Sequence, residues 1–244
     1  MSTAAQPDTA KHSPRQRPVI AIDGPAGAGK STVAAHLARR FGFLNLETGA
    51  MYRALALKAI QNDHSFDEEA ALVDLAQQTT ITLQPVVDGN RVLLDGVDVT
   101  QRLREKDVTA AASKVSVHPR VRAWMVAQQQ KLGGQGGVVM EGRDIGTKVF
   151  PDAEVKIFLD AAPEVRGNRR YRQVSPAGQP VAAPVTEEAV LREMKERDER
   201  DRNRADSPLQ PAEDAVILDS TALTLEQVLE QAEAIVTGRM QQSR

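Results

Sequence analysis

The segment Gly24-Pro25-Ala26-Gly27-Ala28-Gly29-Lys30-Ser31 stands between two stretches of different periodicity, and it restricts the fold more tightly than anything else in the chain. Before it, Val19-Ile20-Ala21-Ile22 is a short apolar run with β-branched residues, suited to a strand buried on both faces. After it, Ser31–Phe41 carries apolar residues at helical spacing. A strand, a glycine-rich turn and a helix in this order match the P-loop pattern of Gly, four residues, then Gly-Lys-Ser/Thr. Small residues let the backbone curl so that successive N–H groups point at phosphate oxygens, and the dipole of the following helix adds positive potential. The reading assigns Gly24, Pro25, Ala26, Gly27, Ala28, Gly29, Lys30, Ser31 and Thr32 to the phosphates of ATP. Lys30, read as an exposed loop lysine, reaches the β- and γ-phosphates, and the Ser31 hydroxyl faces Mg²⁺.

The rest of the chain alternates. Further strands are expected at Val138–Met140, Val155–Leu159 and Ala215–Leu218, and helices at 50–61, 68–78, 120–132, 163–173, 186–202 and 225–240. Alternation of this kind predicts an α/β fold with a doubly wound parallel sheet covered by helices on both faces. Ile81-Thr82-Leu83, the turn residues Asp88-Gly89-Asn90 and Arg91–Leu94 break the rhythm and read as a β-hairpin. We therefore expect an inserted subdomain at about 81–117 within a domain spanning 18–244. The first 17 residues are polar and aperiodic, expected to be a disordered tail, and the Pro- and Gly-rich run 175–184 is expected to be a loop.

A P-loop alone leaves a switch, a nucleic-acid ATPase and a small-molecule kinase open. Composition narrows the choice. The chain has no cysteine, which excludes disulfides, thiol nucleophiles and zinc–thiolate sites. A net charge of −2 offers no bulk attraction to nucleic acid or to an anionic membrane, and 3% aromatic residues are too few for repeated base-stacking platforms. No run approaches the roughly 18 apolar residues of a membrane helix. The expectation is a cytoplasmic monomer with no nucleic-acid or membrane partner.

Three further segments carry charge in useful places. In the arginine-rich stretch 195–204, Arg197, Asp201 and Arg204 fall within about 60° of one another on a helix at about 100° per residue. Such a face is either a solvated stripe with i,i+4 pairs, such as Arg197 with Asp201, or a cationic lid over phosphate. Its position after the Pro/Gly loop favours a lid, taken as about 168–204. Glu141-Gly142-Arg143-Asp144 follows a predicted strand at its carboxyl end, where open α/β sheets place ligands. Thr48 reads as the N-cap of a helix that carries Arg53 on its first turns.

In order along the chain, Ile22-Asp23-Gly24-Pro25, Thr48–Arg53, Gly142–Thr147, Phe150–Ala153, Lys156–Ala161 and Arg197–Arg204 resemble the bacterial cytidylate kinase family from about Val19 to about Val236. The hairpin insert after Ile81, Ala112-Ser113 with Pro119–Arg122, and the arginine-rich helix are the most specific parts of that resemblance. It implies a P-loop NTPase-type fold with a CMP-side insert and a short lid, transferring the ATP γ-phosphoryl group to CMP or dCMP with Mg²⁺. It further implies that Thr48, Arg53 and Arg143 face the acceptor phosphate, and that Ser113, Arg122 and Asp144 read cytosine. Arg197 and Asp201 would hold the ribose side, Arg204 would lie near the transferred group, and Glu141 would reach the metal through water. Lys30, Arg143, Arg197 and Arg204 are the expected catalytic charges. Glu47 and Glu141 stand where many members carry Asp. A UMP, AMP or shikimate kinase is the alternative acceptor class.

Overall fold

Strand β1 (Val19–Asp23) is buried along its whole length, because helices cover both of its faces. Val19 and Ala21 join one apolar cluster, while Ile20 and Ile22 join another on the opposite side. The computed structural model describes residues 15–86, 89–174 and 186–242. Within them β1 is the middle of a five-stranded parallel sheet of order β2-β6-β1-β7-β8, with β2 at Leu44–Glu47, β6 at Val138–Gly142, β7 at Val155–Asp160 and β8 at Val216–Asp219. Register pairs Ile20 with Val139 on one side and with Val155 on the other. Helices α1 (Lys30–Phe41) and α8 (Leu225–Gln242) cover the first face through Leu37, Val228, Ala232 and Val236. Helices α2 (Thr48–Gln61), α3 (Glu69–Gln77) and α5 (Pro119–Gly133) cover the second. The doubly wound α/β sheet is as expected.

The insert is a three-stranded antiparallel sheet of β3 (Ile81–Val86), β4 (Gly89–Leu94) and β5 (Val97–Asp98), followed by α4 (Lys106–Val115). Asp95 and Gly96, at φ 50° and 85°, make the two-residue turn between β4 and β5, the geometry that type I′ hairpins demand. Leu83, Val92, Leu94, Val108 and Val115 join the same apolar cluster as Val19 and Met140, so the insert has no separate core. Asn90, read as a turn residue, lies in β4 instead; its amide donates to the Asn45 carbonyl at 2.7 Å and its side-chain oxygen accepts from the Glu47 N–H at 3.0 Å. That pair of bonds fastens the insert to edge strand β2. Asp88 and the loop 175–184 lie outside the described residues, as do residues 1–14. Contacts begin at Arg15, before Pro18: it pairs with Asp152 at 2.8 Å and lies over the Phe150 ring.

Helices α6 (Pro163–Val174) and α7 (Glu187–Arg202) pack against each other above the β1–α1 turn. Thr186 caps α7 by accepting from the Ala189 N–H at 3.2 Å.

Candidate active site

At the carboxyl end of β1 the chain turns so close to β7 that only glycine fits. Gly24 has φ 148°, and a Cβ there would lie 2.0 Å from the Leu159 carbonyl oxygen. The loop delivers Lys30 to a buried position, not the exposed one expected, where its ammonium donates to the Pro25 carbonyl at 2.7 Å. Burial and the nearby Arg143 guanidinium push the Lys30 pKa well below its ordinary value, against the opposing pull of Glu141. Two buried carboxylates face this charge. Asp23 accepts from the N–H groups of Ile145 and Gly146 at 2.8 and 2.7 Å, and burial still pushes its pKa up to about 6. Glu141, a residue of β6 and not of the following loop, is pushed up to about 7 by burial and by the like charge of Glu47. One of its oxygens accepts from the Ser31 hydroxyl at 2.9 Å; the other, Oε1, has no hydrogen-bond partner.

A second group of charged side chains is built from α2, the end of β6 with the residue after it, and α7. Thr48 is the first helical residue of α2, and Glu47 occupies the N-cap position assigned to it. The Thr48 hydroxyl donates instead to the Glu141 carbonyl at 2.7 Å, tying α2 to β6. Arg53 pairs with Glu47. Asp201 accepts from Arg143 Nε at 2.9 Å and lies 3.6 Å from Arg204, so it bridges β6 to α7 and departs from the simple i,i+4 stripe. Burial acts to raise the Asp201 pKa, but Arg143, Arg197 and Arg204 outweigh it and hold it low. Arg197 is pushed down to about 10 by burial and by Arg143.

Behind them lies a smaller polar cluster. Arg122, 1% exposed, forms a buried ion pair with Asp144, and its guanidinium carbon sits 5.8 Å from the Tyr52 ring centroid. Its other end donates to the Ser116 carbonyl at 3.3 Å, and the Ser116 hydroxyl donates to the Ser113 carbonyl at 3.1 Å. The structure brings Arg143, Asp201 and Arg204 together in one group and Arg122, Asp144 and Ser113 in another, while Arg53 is paired with Glu47.

Among the described residues nine buried side-chain polar atoms lack a hydrogen bond: Arg15 Nε, Asn45 Oδ1 and Thr147 Oγ1, and six in the candidate site, Arg53 Nε, Ser113 Oγ, Arg122 Nε, Glu141 Oε1, Arg197 Nε and Arg204 Nε. Arg122 Nε lies 3.6 Å from an Asp206 oxygen. An unsatisfied buried polar group costs about 1–3 kcal/mol, so six in one candidate site point to groups that a ligand would complete. Four of the six are guanidinium donors, the complement of phosphate. A concavity of about 920 Å³ on the insert beside Arg91, Asp98 and Arg102 holds none of these atoms.

A sequence model of the family described as cytidylate kinase matches residues 20–237. The chain belongs to the cytidylate kinase family. It is 49% identical to the cytidylate kinase of Solibacter usitatus over 94% of this chain and 97% of that one. The cytidylate kinases of Aeromonas hydrophila and Vibrio cholerae are 47% and 46% identical over 88% and 91% of this chain, and over 92% and 97% of their own lengths. Membership makes the protein a phosphotransferase.

Three site residues escaped the sequence reading of this cytidylate kinase family member. Asp23 is the last residue of β1, Asp198 is buried on α7, and Arg166 is buried on α6. Only Asp198 left a signal: it lies four residues after Met194 and eight after Val190, on the same buried stripe.

Proposed function

We propose that the chain transfers the γ-phosphoryl group of ATP directly to the phosphate of CMP or dCMP, giving CDP or dCDP and ADP. The observation that carries this reading is the set of buried guanidinium nitrogens on Arg53, Arg122, Arg197 and Arg204 that lack a hydrogen bond, together with the Arg122–Asp144 pair. The residues of 24–32 hold the donor phosphates. Thr48, Arg53 and Arg143 bind the acceptor phosphate; Arg197 and Asp201 hold the ribose; Ser113, Arg122 and Asp144 read the base. As the acceptor oxygen bonds to the γ-phosphorus, the bridge to the β-phosphate breaks and ADP leaves. Lys30, Arg143, Arg197 and Arg204 meet the charge on the transferring group. The acceptor is already an anion at neutral pH, so the site needs no general base. His36 is engaged with Glu233, and His118 with the Phe66 carbonyl.

Mg²⁺ fits the donor set. An ion carried on nucleotide phosphates asks for a hydroxyl and a carboxylate reached through water, and Ser31 with the free Oε1 of Glu141 supply both. Bound there, it would neutralise charge between the β- and γ-phosphates. The protein works as a cytoplasmic monomer without nucleic-acid or membrane partners; no helix among the described residues is long and apolar enough to cross a membrane. The test is ADP formation with CMP, dCMP, UMP, AMP and shikimate in turn. CMP and dCMP should give the highest kcat/KM; equal activity on UMP would remove the assignment of Asp144, and preference for shikimate would remove the acceptor class.

A further inference from the structure

The carboxylate of Asp198 on α7 accepts from the Ala26 N–H of the phosphate loop at 3.1 Å. Its other oxygen accepts from Arg166 Nη1 at 2.5 Å, and that same nitrogen donates to the Ala26 carbonyl at 2.9 Å. Arg166 is anchored in turn by donating from Nε to the Ala161 carbonyl at 2.8 Å. Asp198 and Arg166 are 4% and 3% exposed, so both the N–H and the C=O of one loop residue are held by a buried acid–arginine pair. One turn earlier on α7, Met194 presses on Gly27, where an added Cβ would come within 2.7 Å of the Met194 methyl. One turn later, Asp201 holds Arg143. A single buried stripe of α7 therefore touches the donor loop at Met194 and Asp198 and the acceptor cluster at Asp201.

We propose that Asp198 is a positioning residue that locks the phosphate loop to α7, so that occupation of the acceptor cluster stiffens the donor loop. The physical ground is the rigidity of a packed helix: an anion drawn to Arg197 and Arg143 fixes α7, and Asp198 passes that restraint to Ala26 without touching substrate. Ion pairing explains why this buried position carries an acid, since Arg166 would be an uncompensated buried charge without it. The proposal deepens the phosphoryl-transfer reading and rests on it for the identity of the acceptor.

Hydrogen exchange of the amides of 24–31 reads the lock without any turnover. In nucleotide-free protein, Asp198→Ala should exchange these amides at least tenfold faster than wild type, with β1 and β6 amides unchanged. Asp198→Asn, which keeps an oxygen for the Ala26 N–H, should fall between and guards against misfolding of the alanine variant. Adding CMP should slow loop exchange in wild type and leave it unaltered in Asp198→Ala. Turnover should fall at least tenfold in kcat with KM for CMP within twofold, a split that a general loss of fold would not give. Loop exchange identical in wild type and both variants would overturn the proposal, as would a rise in KM for CMP at constant kcat. Should wild type fail to phosphorylate CMP, the transfer reading falls while the nucleotide-free exchange still decides the lock.

Discussion

The Ser31 hydroxyl donates to Glu141 across 2.9 Å, joining the first turn of α1 to β6 at a point where the second carboxylate oxygen is left buried and unbonded. Because α1 and β6 flank the phosphate loop, this contact marks the junction of donor and acceptor sides. Glu141→Gln keeps the shape and removes the charge. Turnover with Mg²⁺ should fall about 10- to 100-fold, since charge neutralisation carries phosphoryl transfer. Wild-type turnover in that variant would leave Glu141 without a metal role.

The same carboxylate makes the ligand-free protein sensitive to pH. Folding raises Glu141 from 4.5 to about 7 and Asp23 from 3.8 to about 6, so the native state holds protons that the unfolded chain has released. Their contribution to stability is full below the unfolded values and is lost as pH rises through the folded ones. Melting temperature measured without nucleotide or metal should therefore decline between pH 4.5 and 7 from these groups, and Glu141→Gln should flatten part of the decline. An unchanged slope in the variant would contradict the assignment.

Lys30→Ala should abolish transfer and leave the fold intact. The ammonium is buried, yet its only hydrogen bond among the described residues is to the Pro25 carbonyl, and Arg143 and Arg197 repel it against the pull of Glu141 and Asp23. Losing that repulsion offsets the lost bond, so the melting temperature should shift by only a few degrees. Turnover near wild type would remove the P-loop assignment.

Strand β1, its glycine turn and α1 were legible because three local signals agree there: a β-branched run, small residues at fixed offsets and a helical repeat. Arg143 and Arg204 were legible through charge at a strand end and on a helix face. Strand β2 was not, because its four residues include an exposed Leu44 and pair at the sheet edge, leaving no apolar run to read. Helix α4 was hidden within an insert whose hairpin dominates the pattern. The Asp198–Arg166 pair joins residues 32 apart, and no local rule links an acid on one charged helix to one arginine among several on another.

Asp144→Asn should lower CMP efficiency and narrow the CMP to UMP ratio of kcat/KM by roughly tenfold. A carboxylate paired with a guanidinium can only accept, so it suits the N4 amino group of cytosine and repels the O4 of uracil; an amide can do either. The variant also breaks a buried ion pair with Arg122, so stability should drop by several kcal/mol, and the ratio belongs at a temperature well below melting. A constant ratio with both activities reduced would move base choice to Ser113 and Arg122.

Arg204→Met should cut kcat by orders of magnitude with a small effect on melting. Its guanidinium sits near Arg122, lies 3.6 Å from Asp201, donates to the Ser207 carbonyl at 2.7 Å and leaves Nε without a hydrogen bond among the described residues, so it has a donor to offer a ligand. Unchanged kinetics would leave Arg204 as a structural partner of Asp201 alone.

Phosphorus NMR of a mixture of the protein, ATP, CMP and Mg²⁺ tests the central claim most directly, because it identifies every phosphorus product at once. The account predicts one CDP for each ADP formed, no orthophosphate beyond a trace, and negligible ATP loss when CMP is omitted. Orthophosphate released in step with ADP while CMP remains intact would contradict it, and would make the arginine cluster the floor of a nucleotide-hydrolysing switch.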